Sequence, residues 1–418
     1  MADRATTLDI PEAVREIARR LEDAGYDTWT VGGGVRDALL GWPNVEWDLA
    51  TAARPETVRK LFRPSYPIGL RFGTVGVRGK DGRVYELTTF RRDIETDGRH
   101  AVIEYADHID DDLARRDFTI NAIAYHPFRK EIHDPFDGCE DLERKLLRCV
   151  GEPAQRFAED YLRVLRGLRF AGRYRLEIEP ATWSALREAV QYLPRLSAER
   201  VREELLKVLE AVDASPGLDL YRQAGALPTL LPELAGLTDE EWADLLCTID
   251  ELSARRVDLR LAAFLAPAEG ALEELMTRLR FSNAETRRSV EVSRGLAQPL
   301  PSAGDAVGAR RWIRGVSRSR ARSALRLHIA RRRAAGLTSG QRVQLVNEVC
   351  LVLEVLRRAD PVGLADLAID GDDLKMLGLK PSPEFGQILA DCLAAVIADP
   401  SLNQRELLLE HVRARYVE

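Results

Sequence analysis

The pattern of apolar and polar positions along the chain changes near residue 150. Before that point, short segments follow different periodicities. Residues 11–25 repeat at helical spacing, with Pro near the start and Gly at the end, whereas residues 28–31 are β-branched or aromatic and predict a strand. Residues 35–40 predict a further helix and residues 46–50 a second strand. The first part of the chain therefore mixes both element types.

Alternating positions at 72–77 and 84–90, on either side of a Gly-rich turn, predict a β-hairpin. From Pro153 onward the spacing is almost purely helical, with breaks at Gly and Pro. The pattern thus predicts an α+β head, followed by an all-α remainder that makes up about two thirds of the chain.

Composition narrows the class of protein. At 418 residues the chain has room for two to four domains, and its 45% hydrophobic and 31% charged residues are ordinary for a globular protein. No apolar run approaches bilayer length and the N-terminus lacks a basic-then-apolar signal, so a cytoplasmic location without membrane association is expected. The five cysteines show no Cys-x-x-Cys spacing, which argues against a disulfide framework and a zinc site.

Two features near the start of the chain indicate chemistry. The turn Gly32, Gly33, Gly34 follows the first predicted strand and opens a helix, so its backbone N–H groups can hold phosphate. Glu46 and Asp48 are spaced so that a strand would place both carboxylates on one side, where they can share divalent cations. A phosphate-binding turn beside two carboxylates suits metal-assisted nucleotidyl transfer. Either feature alone is also typical of a structural turn or a solvated strand.

Further segments, read in order, resemble the motifs of the bacterial-type (class II) tRNA nucleotidyltransferases and their sister poly(A) polymerases. The first motif is GGVRDALLG at 33–41 with EWDLAT at 46–51. The later ones are ELTTFR at 86–91, RRDFTINA at 115–122, DPFDG at 134–138, EDYLR at 159–163 and RVREEL at 200–205.

This resemblance implies a DNA polymerase β-like nucleotidyltransferase head, built on a mixed sheet with helices, followed by an all-α neck, body and tail. The implied boundaries are a catalytic head at 1–148, a neck for base recognition at 149–215, an RNA-binding body at 216–340 and a tRNA-binding tail at 341–418. A poorly periodic stretch containing Asp97, Gly98 and Arg99 is similar in position to the flexible loop of the family. Because that loop is shortened in enzymes that add only C, its presence favours complete CCA addition.

By the same resemblance, the catalytic residues are Glu46, Asp48 and Glu86, with Glu46 and Asp48 as metal ligands. The family has Asp where this chain has Glu46, and the longer side chain leaves three readings. Glu46 ligates Mg²⁺ after a small backbone adjustment, Mn²⁺ is preferred, or the enzyme is slow or inactive. Glu86 has the alternative of an ordinary exposed strand residue.

The implied nucleotide-binding residues lie in the glycine turn, the segment at 115–122 and a helix predicted across 159–166. Asp117 is expected to accept a hydrogen bond from the ribose 2′-hydroxyl, with a local ion-pair cluster as the alternative. Asp160 and Arg163 complement the amino donor and ring-nitrogen acceptor that cytosine and adenine share, whereas uracil and guanine present the reverse order. The alternative is a salt bridge between these two side chains. The full set is Gly33, Gly34, Arg36, Arg116, Asp117, Asn121, Asp160, Arg163 and Arg166.

A basic region interrupts an acidic chain. The net charge is −6, yet residues 306–347 contain eleven arginines and no Asp or Glu. Solvated helices normally interleave acids with bases, so their absence favours contact with an RNA backbone over a merely solvated helix. The RNA-binding residues expected there are Arg310, Arg311, Arg314, Arg318, Arg320 and Arg322.

The leading hypothesis is template-independent nucleotidyl transfer from CTP and ATP to the 3′ end of tRNA, for CCA addition or repair, by two-metal catalysis. The implied partners are tRNA and the two nucleotides, with no protein partner. Poly(A) polymerase shares the motifs and is one alternative. A non-catalytic RNA-binding protein, suggested by Glu46 alone, is the other.

Overall fold

The computed structural model describes residues 7–43, 46–96 and 101–417. The chain forms two compact units, Met1–Val208 with Pro216–Pro232, and Leu209–Ser215 with Glu233–Glu418. The strands of the described residues lie in the first unit. They are β1 (Thr28–Val31), β2 (Asp48–Thr51), β3 (Ser65–Gly69), β4 (Thr74–Arg78), β5 (Val84–Thr89), β6 (Arg91–Thr96), β7 (Ala101–Tyr105), β8 (Ala124–His126), β9 (Glu131–His133), β10 (Leu146–Leu147) and β11 (Glu177–Ile178).

The helices fall into two groups. Those of the first unit are α1 (Glu12–Glu22), α2 (Gly33–Leu39), α3 (Pro55–Leu61), α4 (Ile109–Ala114), α5 (Gly138–Glu143), α6 (Pro153–Glu159), α7 (Leu162–Tyr174), α8 (Pro180–Ala189), α9 (Ala198–Leu209), α10 (Ser215–Gln223) and α11 (Ala226–Leu230). The last residue of α9 and the first residue of α10 are assigned to the second unit. Those of the second unit are α12 (Asp239–Asp250), α13 (Val257–Leu265), α14 (Leu272–Arg278), α15 (Asn283–Ala297), α16 (Ala306–Val316), α17 (Ala321–Ala334), α18 (Ser339–Arg358), α19 (Gly371–Met376), α20 (Glu384–Ala398) and α21 (Arg405–Tyr416).

Within the described residues, seven strands form one mixed sheet in the order β3-β4-β5-β2-β1-β8-β9. Strands β2 and β5 are parallel, and the other neighbouring strands are antiparallel. In β5, Tyr85 and Leu87 are buried whereas Val84 and Glu86 are exposed, the alternation of a sheet with one solvated face. The sheet therefore offers an open surface beside its central strands.

The predicted fold class is confirmed, because the head is α+β and the rest of the described chain is almost entirely helical. β1 has the predicted bounds, and β4 and β5 form the predicted antiparallel pair. Strand β2, however, begins at Asp48, so Glu46 precedes the strand instead of lying on it. The stretch expected to be irregular contributes the paired strands β6 and β7, and Asp97, Gly98 and Arg99 lie outside the described residues.

The second unit contains separate hydrophobic clusters. Ile313 of α16, Leu325 of α17 and Val352 of α18 share one cluster, whereas Leu374 of α19 and Cys392 of α20 belong to another. The division of the chain into head, neck, body and tail at the stated boundaries stays a prediction.

Arg260 of α13 organises a turn within the second unit. Its side chain is 1% exposed, and its guanidinium donates to the carbonyls of Leu252 at 2.7 and 2.9 Å, Leu209 at 2.9 Å and Val212 at 2.9 Å, and also to that of Ala211. Carbonyls without partners are costly, so this one cation satisfies the end of α9, Ala211 and Val212 shortly after it, and Leu252 just after α12.

We expect Arg260→Met to lower the free energy of unfolding of the second unit by about 3–5 kcal/mol, because four carbonyls lose their donor while the apolar stem is kept. The midpoint of urea unfolding, followed by circular dichroism, measures the effect. Arg255→Met changes an exposed arginine five residues away and serves as the control. Equal midpoints for the two variants would contradict this role of Arg260.

Candidate active site

The glycine turn is shaped by its neighbours. Gly32, between β1 and α2, has φ 71° and ψ −134°, a conformation that side chains strongly disfavour. A Cβ added there would also lie 2.6 Å from Nη1 of Arg116. Glycine is therefore needed both for the turn and for the close approach of the guanidinium.

The sheet register brings the carboxylates to this turn. Asp48 lies opposite Val31, the residue directly before Gly32. Leu49 pairs with Leu87 on the parallel strand β5, so Asp48 and Glu86, one residue earlier on each strand, are neighbours on one face. The glycine turn and two carboxylates therefore meet at one end of the central strands.

Both burial and neighbouring charges act on the carboxylate of Asp48. Asp48 keeps access to solvent, but the protein packed around its carboxylate raises its pKa to about 6, together with the negative charges of Glu86 and Glu46. The positive charge of Arg116 lowers the pKa of Asp48. The site therefore carries excess negative charge of the kind that a divalent cation neutralises, and its oxygen donors are those that Mg²⁺ prefers.

A buried cluster stands behind the turn. Asp117 is 7% exposed and accepts from Nε of Arg166 at 2.7 Å, Nδ2 of Asn121 at 2.9 Å and the backbone N–H of Phe118 at 2.9 Å. Burial alone would raise the pKa of Asp117, but the charge of Arg166 and these hydrogen bonds hold it well below its usual range. Asp117 is thus ionised and fixes the positions of Asn121 and Arg166.

The predicted nucleotide-binding residue Arg36 has several partners within the protein. It is 5% exposed, and its guanidinium lies 4.4 Å from the ring centroid of Tyr174. Its nitrogens donate to Oδ1 of Asn121 at 2.5 Å, to Oδ1 of Asp37 at 2.8 and 2.9 Å, and to the Tyr174 hydroxyl at 2.5 Å. These partners join Arg36 of α2 to α7. Its Nη2 also lies beside the glycine turn, 3.5 Å from where a Cβ on Gly33 would be, and its role in nucleotide binding stays a prediction. Gly33 and Gly34 begin α2 beside it and keep their predicted place at the turn.

The predicted base-reading residues do not lie on one helix. Helix α6 ends at Glu159 and α7 begins at Leu162, with Asp160 extended between them at φ −156° and ψ 106°. Asp160 accepts from the Leu162 N–H at 3.0 Å and from Nη2 of Arg200 at 2.6 Å. The prediction that one continuous helix carries both residues is therefore wrong at this point.

Arg163 has different partners. Its guanidinium donates to Oε2 of Glu159 at 2.5 Å and to the carbonyls of Arg156 at 2.8 Å and Arg115 at 3.1 Å. The structure records no ion pair between Asp160 and Arg163, which are both described residues. Each is instead held by its own neighbours, with part of its surface open to solvent.

Comparison with known proteins identifies the family. Residues 28–148 match the model described as the poly A polymerase head domain, and residues 175–237 match that of the probable RNA and SrmB-binding site of polymerase A. The CCA-adding enzyme of Streptococcus mutans is 31% identical to this chain over 405 residues, which cover 95% of each protein. The chain belongs to the CCA-adding enzyme family. The resemblance seen in its motifs is thereby confirmed.

Other members of the CCA-adding enzyme family are also similar to this chain over nearly its whole length. The CCA-adding enzyme of Lactobacillus delbrueckii subsp. bulgaricus is 33% identical and covers 94% of this chain and 95% of its own length. The crystal structure of the Bacillus stearothermophilus CCA-adding enzyme in complex with CTP superposes with a TM-score of 0.78 at 29% identity, covering 97% of this chain and 98% of that one. Members of the family are metal-dependent nucleotidyltransferases.

Arg200 contacts the predicted site residue Asp160, but sequence reasoning assigned Arg200 no role of its own. It opens the RVREEL motif, which was recognised only as part of the family pattern. The signal available was its place in that motif, but its partner Asp160 lies forty residues away in the sequence, so spacing alone could not join them.

The arginines of the arginine-rich region differ in exposure and in ion pairing, whereas the sequence predicted that they contact RNA together. Arg310 is 5% exposed, pairs with Asp360 at 3.0 Å and donates to the Ile397 carbonyl at 2.6 Å, so it is structural and needs correction as an RNA-binding residue. Arg318 pairs with Asp366 at 3.3 Å, and Arg320 with Glu291 at 3.2 Å. Exposed arginines of this region for which the structure records no ion pair among the described residues are Arg311, Arg314, Arg322, Arg326, Arg331 and Arg342.

A second acidic cluster in the first unit does not suit a metal. Nε2 of buried His126 lies 3.4 Å from Glu22 and 3.8 Å from Asp27. However, Nδ1 accepts from the backbone N–H groups of Phe128 at 3.3 Å and Arg129 at 3.1 Å, which leaves the proton of the neutral ring on Nε2. A protonated Nε2 cannot ligate, so the imidazole of His126 does not offer a metal a ligand in this arrangement. Across the described residues, no helix has the length and apolarity needed to cross a membrane.

Proposed function

We propose that this protein adds C, C and A in turn to the 3′ end of tRNA, using CTP and ATP without a nucleic-acid template. The observation that carries the proposal is its identity with CCA-adding enzymes over nearly the whole length of both proteins. In each addition the 3′ oxygen of the RNA forms a bond to the α-phosphorus, the bond to pyrophosphate breaks, and the hydroxyl proton passes to water.

Asp48 and Glu46 are the proposed ligands of Mg²⁺, with Glu86 as the third catalytic acid. Burial and the charges of the neighbouring carboxylates raise the pKa of Asp48, and this supports the assignment because a bound divalent cation would offset that negative charge. When bound, divalent cations lower the pKa of the attacking hydroxyl and neutralise charge on the leaving pyrophosphate. Glu46 is exposed and lies two residues before Asp48, the first residue of β2.

The triphosphate is proposed to lie against the turn at Gly33 and Gly34, with Arg116 beside it. Arg116 donates to Asp112 at 3.0 Å and to the Asn121 carbonyl at 3.2 Å, and its charge reaches Asp48. These bonds hold one cation between the turn and the carboxylates, where phosphate oxygens would need it. Asp117 supports this arrangement from behind through Asn121 and Arg166.

Base selection is assigned to Asp160 and Arg163. A carboxylate accepts from the exocyclic amine of cytosine or adenine, and a guanidinium donates to the adjacent ring nitrogen. Uracil and guanine would leave both groups unpaired or opposed, which discriminates strongly. The separate supports for Asp160 and Arg163 are consistent with two groups held apart for a ligand instead of paired with each other.

Incorporation of labelled CTP and ATP into tRNA that lacks its terminal CCA tests the proposal, with Mg²⁺ and Mn²⁺ compared. Addition of two C residues followed by one A would support it. Poly(A) polymerase, the name carried by the matching head model, predicts repeated addition of A without C. No incorporation with either metal would favour a non-catalytic RNA-binding protein.

Exposed arginines of α16 and α17 are proposed to contact the tRNA backbone. Arg311 and Arg314 lie three residues apart on α16, and Arg322 lies on the first turn of α17. We expect the triple replacement by Ala to weaken tRNA binding and to lower the salt slope by about one unit for each lost phosphate contact, leaving the KM for CTP unchanged. Triple replacement by Lys keeps the charges and is the control. An unchanged salt slope in the Ala variant would contradict the assignment.

We also propose a cytoplasmic location, supported by the five cysteines, all of which are free thiols as a reducing compartment would keep them.

A further inference from the structure

An exposed apolar surface lies on the head sheet. Ile68 on β3 is 50% exposed and Val84 on β5 is 44% exposed. Large apolar side chains that share one exposed surface mark a binding site more often than single ones do.

The strand register aligns this surface with the catalytic carboxylates. Glu86 on β5 lies opposite Gly76 on β4, and Gly76 lies opposite Tyr66 on β3. Asp48 is the neighbour of Glu86 on β2. Residues paired across a sheet share a face, so Asp48, Glu86, Gly76 and Tyr66 form one row across four strands.

Gly76 allows the side chains around it to form a continuous surface. A Cβ at this position would lie 2.5 Å from Cδ1 of Ile68 and 2.9 Å from Cγ1 of Val84, so both side chains reach over the glycine. Arg78 lies opposite Val84, and its guanidinium is 6.0 Å from the ring centroid of Tyr66. Tyr66, Ile68, Arg78 and Val84 together are called the β3–β5 platform.

We propose that the β3–β5 platform binds the single-stranded 3′ end of the RNA acceptor and holds its terminal nucleotide so that the 3′-hydroxyl lies over Asp48 and Glu86. The inference rests on the proposed nucleotidyl transfer, in which the attacking oxygen and the leaving pyrophosphate are in line through phosphorus. The sheet order places β1 and its glycine turn on one side of β2, and β5, β4 and β3 on the other. A triphosphate at the turn therefore leaves the platform side for the acceptor.

The composition of the platform suits an RNA end. An aromatic ring stacks on any base, apolar side chains support the base and ribose, and an arginine contacts the phosphate. Such contacts tolerate different bases. This tolerance matters because the terminal nucleotide of the acceptor changes after every addition, so a surface that read its identity would fail at the next step.

Two measurements test the platform. We expect Tyr66→Ala and Arg78→Ala each to lower kcat/KM for a tRNA acceptor by about tenfold, with the KM for CTP unchanged. A 2-aminopurine base at the acceptor 3′ end should be quenched on binding by stacking on Tyr66. Tyr66→Phe should keep this quenching and Tyr66→Ala should lose it. Arg59→Ala, which changes an exposed arginine of α3 in the same head, is the control.

The results distinguish a failure of the platform proposal from a failure of the proposed function. A raised KM for CTP with unchanged acceptor kinetics would assign the platform to the incoming nucleotide and overturn the proposal. Unchanged acceptor kinetics and unchanged quenching in both alanine variants would also overturn the proposal that the β3–β5 platform binds the acceptor end. Lack of incorporation by the unmutated protein would defeat the proposed function alone, because the quenching experiment needs RNA binding but no catalysis.

Discussion

Replacing Asp48 by asparagine should reduce incorporation of CTP on the order of a thousandfold while the head stays folded. The change keeps the shape of the side chain and removes the negative charge that two cations would share, and several kcal/mol of stabilisation of the transition state depend on that charge. Single-turnover incorporation of labelled CTP at saturating tRNA measures the loss. Thermal unfolding of the same preparation shows whether the fold is intact.

Controls for this prediction lie in the same part of the chain. Glu56→Gln removes an exposed carboxylate from α3 and should leave the rate unchanged. Glu46→Ala should resemble the Asp48 variant, whereas Glu46→Asp should keep or raise the Mg²⁺-dependent rate. Near-normal activity of Glu46→Ala would mean that Glu46 is no ligand and that Asp48 and Glu86 form the site. A fully active Asp48→Asn variant would contradict the assignment of the active site itself.

The sequence predicted those features whose causes are local. The strand at Thr28–Val31, the glycine turn and the hairpin of β4 and β5 depend on side-chain alternation and on glycine at tight turns, which a short window contains. The ordered motifs then indicated the family, and with it the mixed sheet. The neighbouring positions of Asp48 and Glu86 required the parallel pairing of β2 with β5, which no window of sequence shows.

Acidic partners that are distant in sequence explain why the arginine-rich region differs from its prediction. The arginine-rich region has no acids of its own, but acids from other segments pair with its arginines. The pairs are Arg310 with Asp360, Arg318 with Asp366 and Arg320 with Glu291. Charge counted along the chain therefore overstates the charge presented to RNA. Arg36 likewise has partners that its place in the sequence does not show, because residues of α7 and the 115–122 segment enclose it.

The break between α6 and α7 was missed although a local signal existed. Residues 153–174 keep helical spacing and contain no Pro after the first residue, so periodicity alone predicts one helix. Asp160, however, is a residue type that favours helix starts, and its carboxylate accepts from the N–H of Leu162. The ion pair with Arg200 then holds the side chain from α9. This arrangement gives Asp160 a fixed position at the start of α7.

That fixed position leads to the second large effect. Asp160→Ala should lower the preference for CTP over UTP on the order of a hundredfold, in addition to slowing CTP incorporation. In the proposed base selection the carboxylate accepts from the cytosine amine and repels the uracil carbonyl, so its removal would take away both the attraction and the penalty. Steady-state incorporation of each of the four nucleotides, measured singly, gives the discrimination ratios.

The competing interpretation is that Asp160 serves only its ion pair with Arg200. On that view Asp160→Ala and Arg200→Ala would lower the unfolding midpoint equally and leave the base preference of the folded protein intact. On the base-reading view, Asp160→Ala loses discrimination at every temperature at which it is folded. Arg200→Ala keeps the carboxylate that pairs with the base and therefore keeps more of the preference. A preference for CTP that survives Asp160→Ala would remove Asp160 from base selection and leave Arg163 as the group to examine.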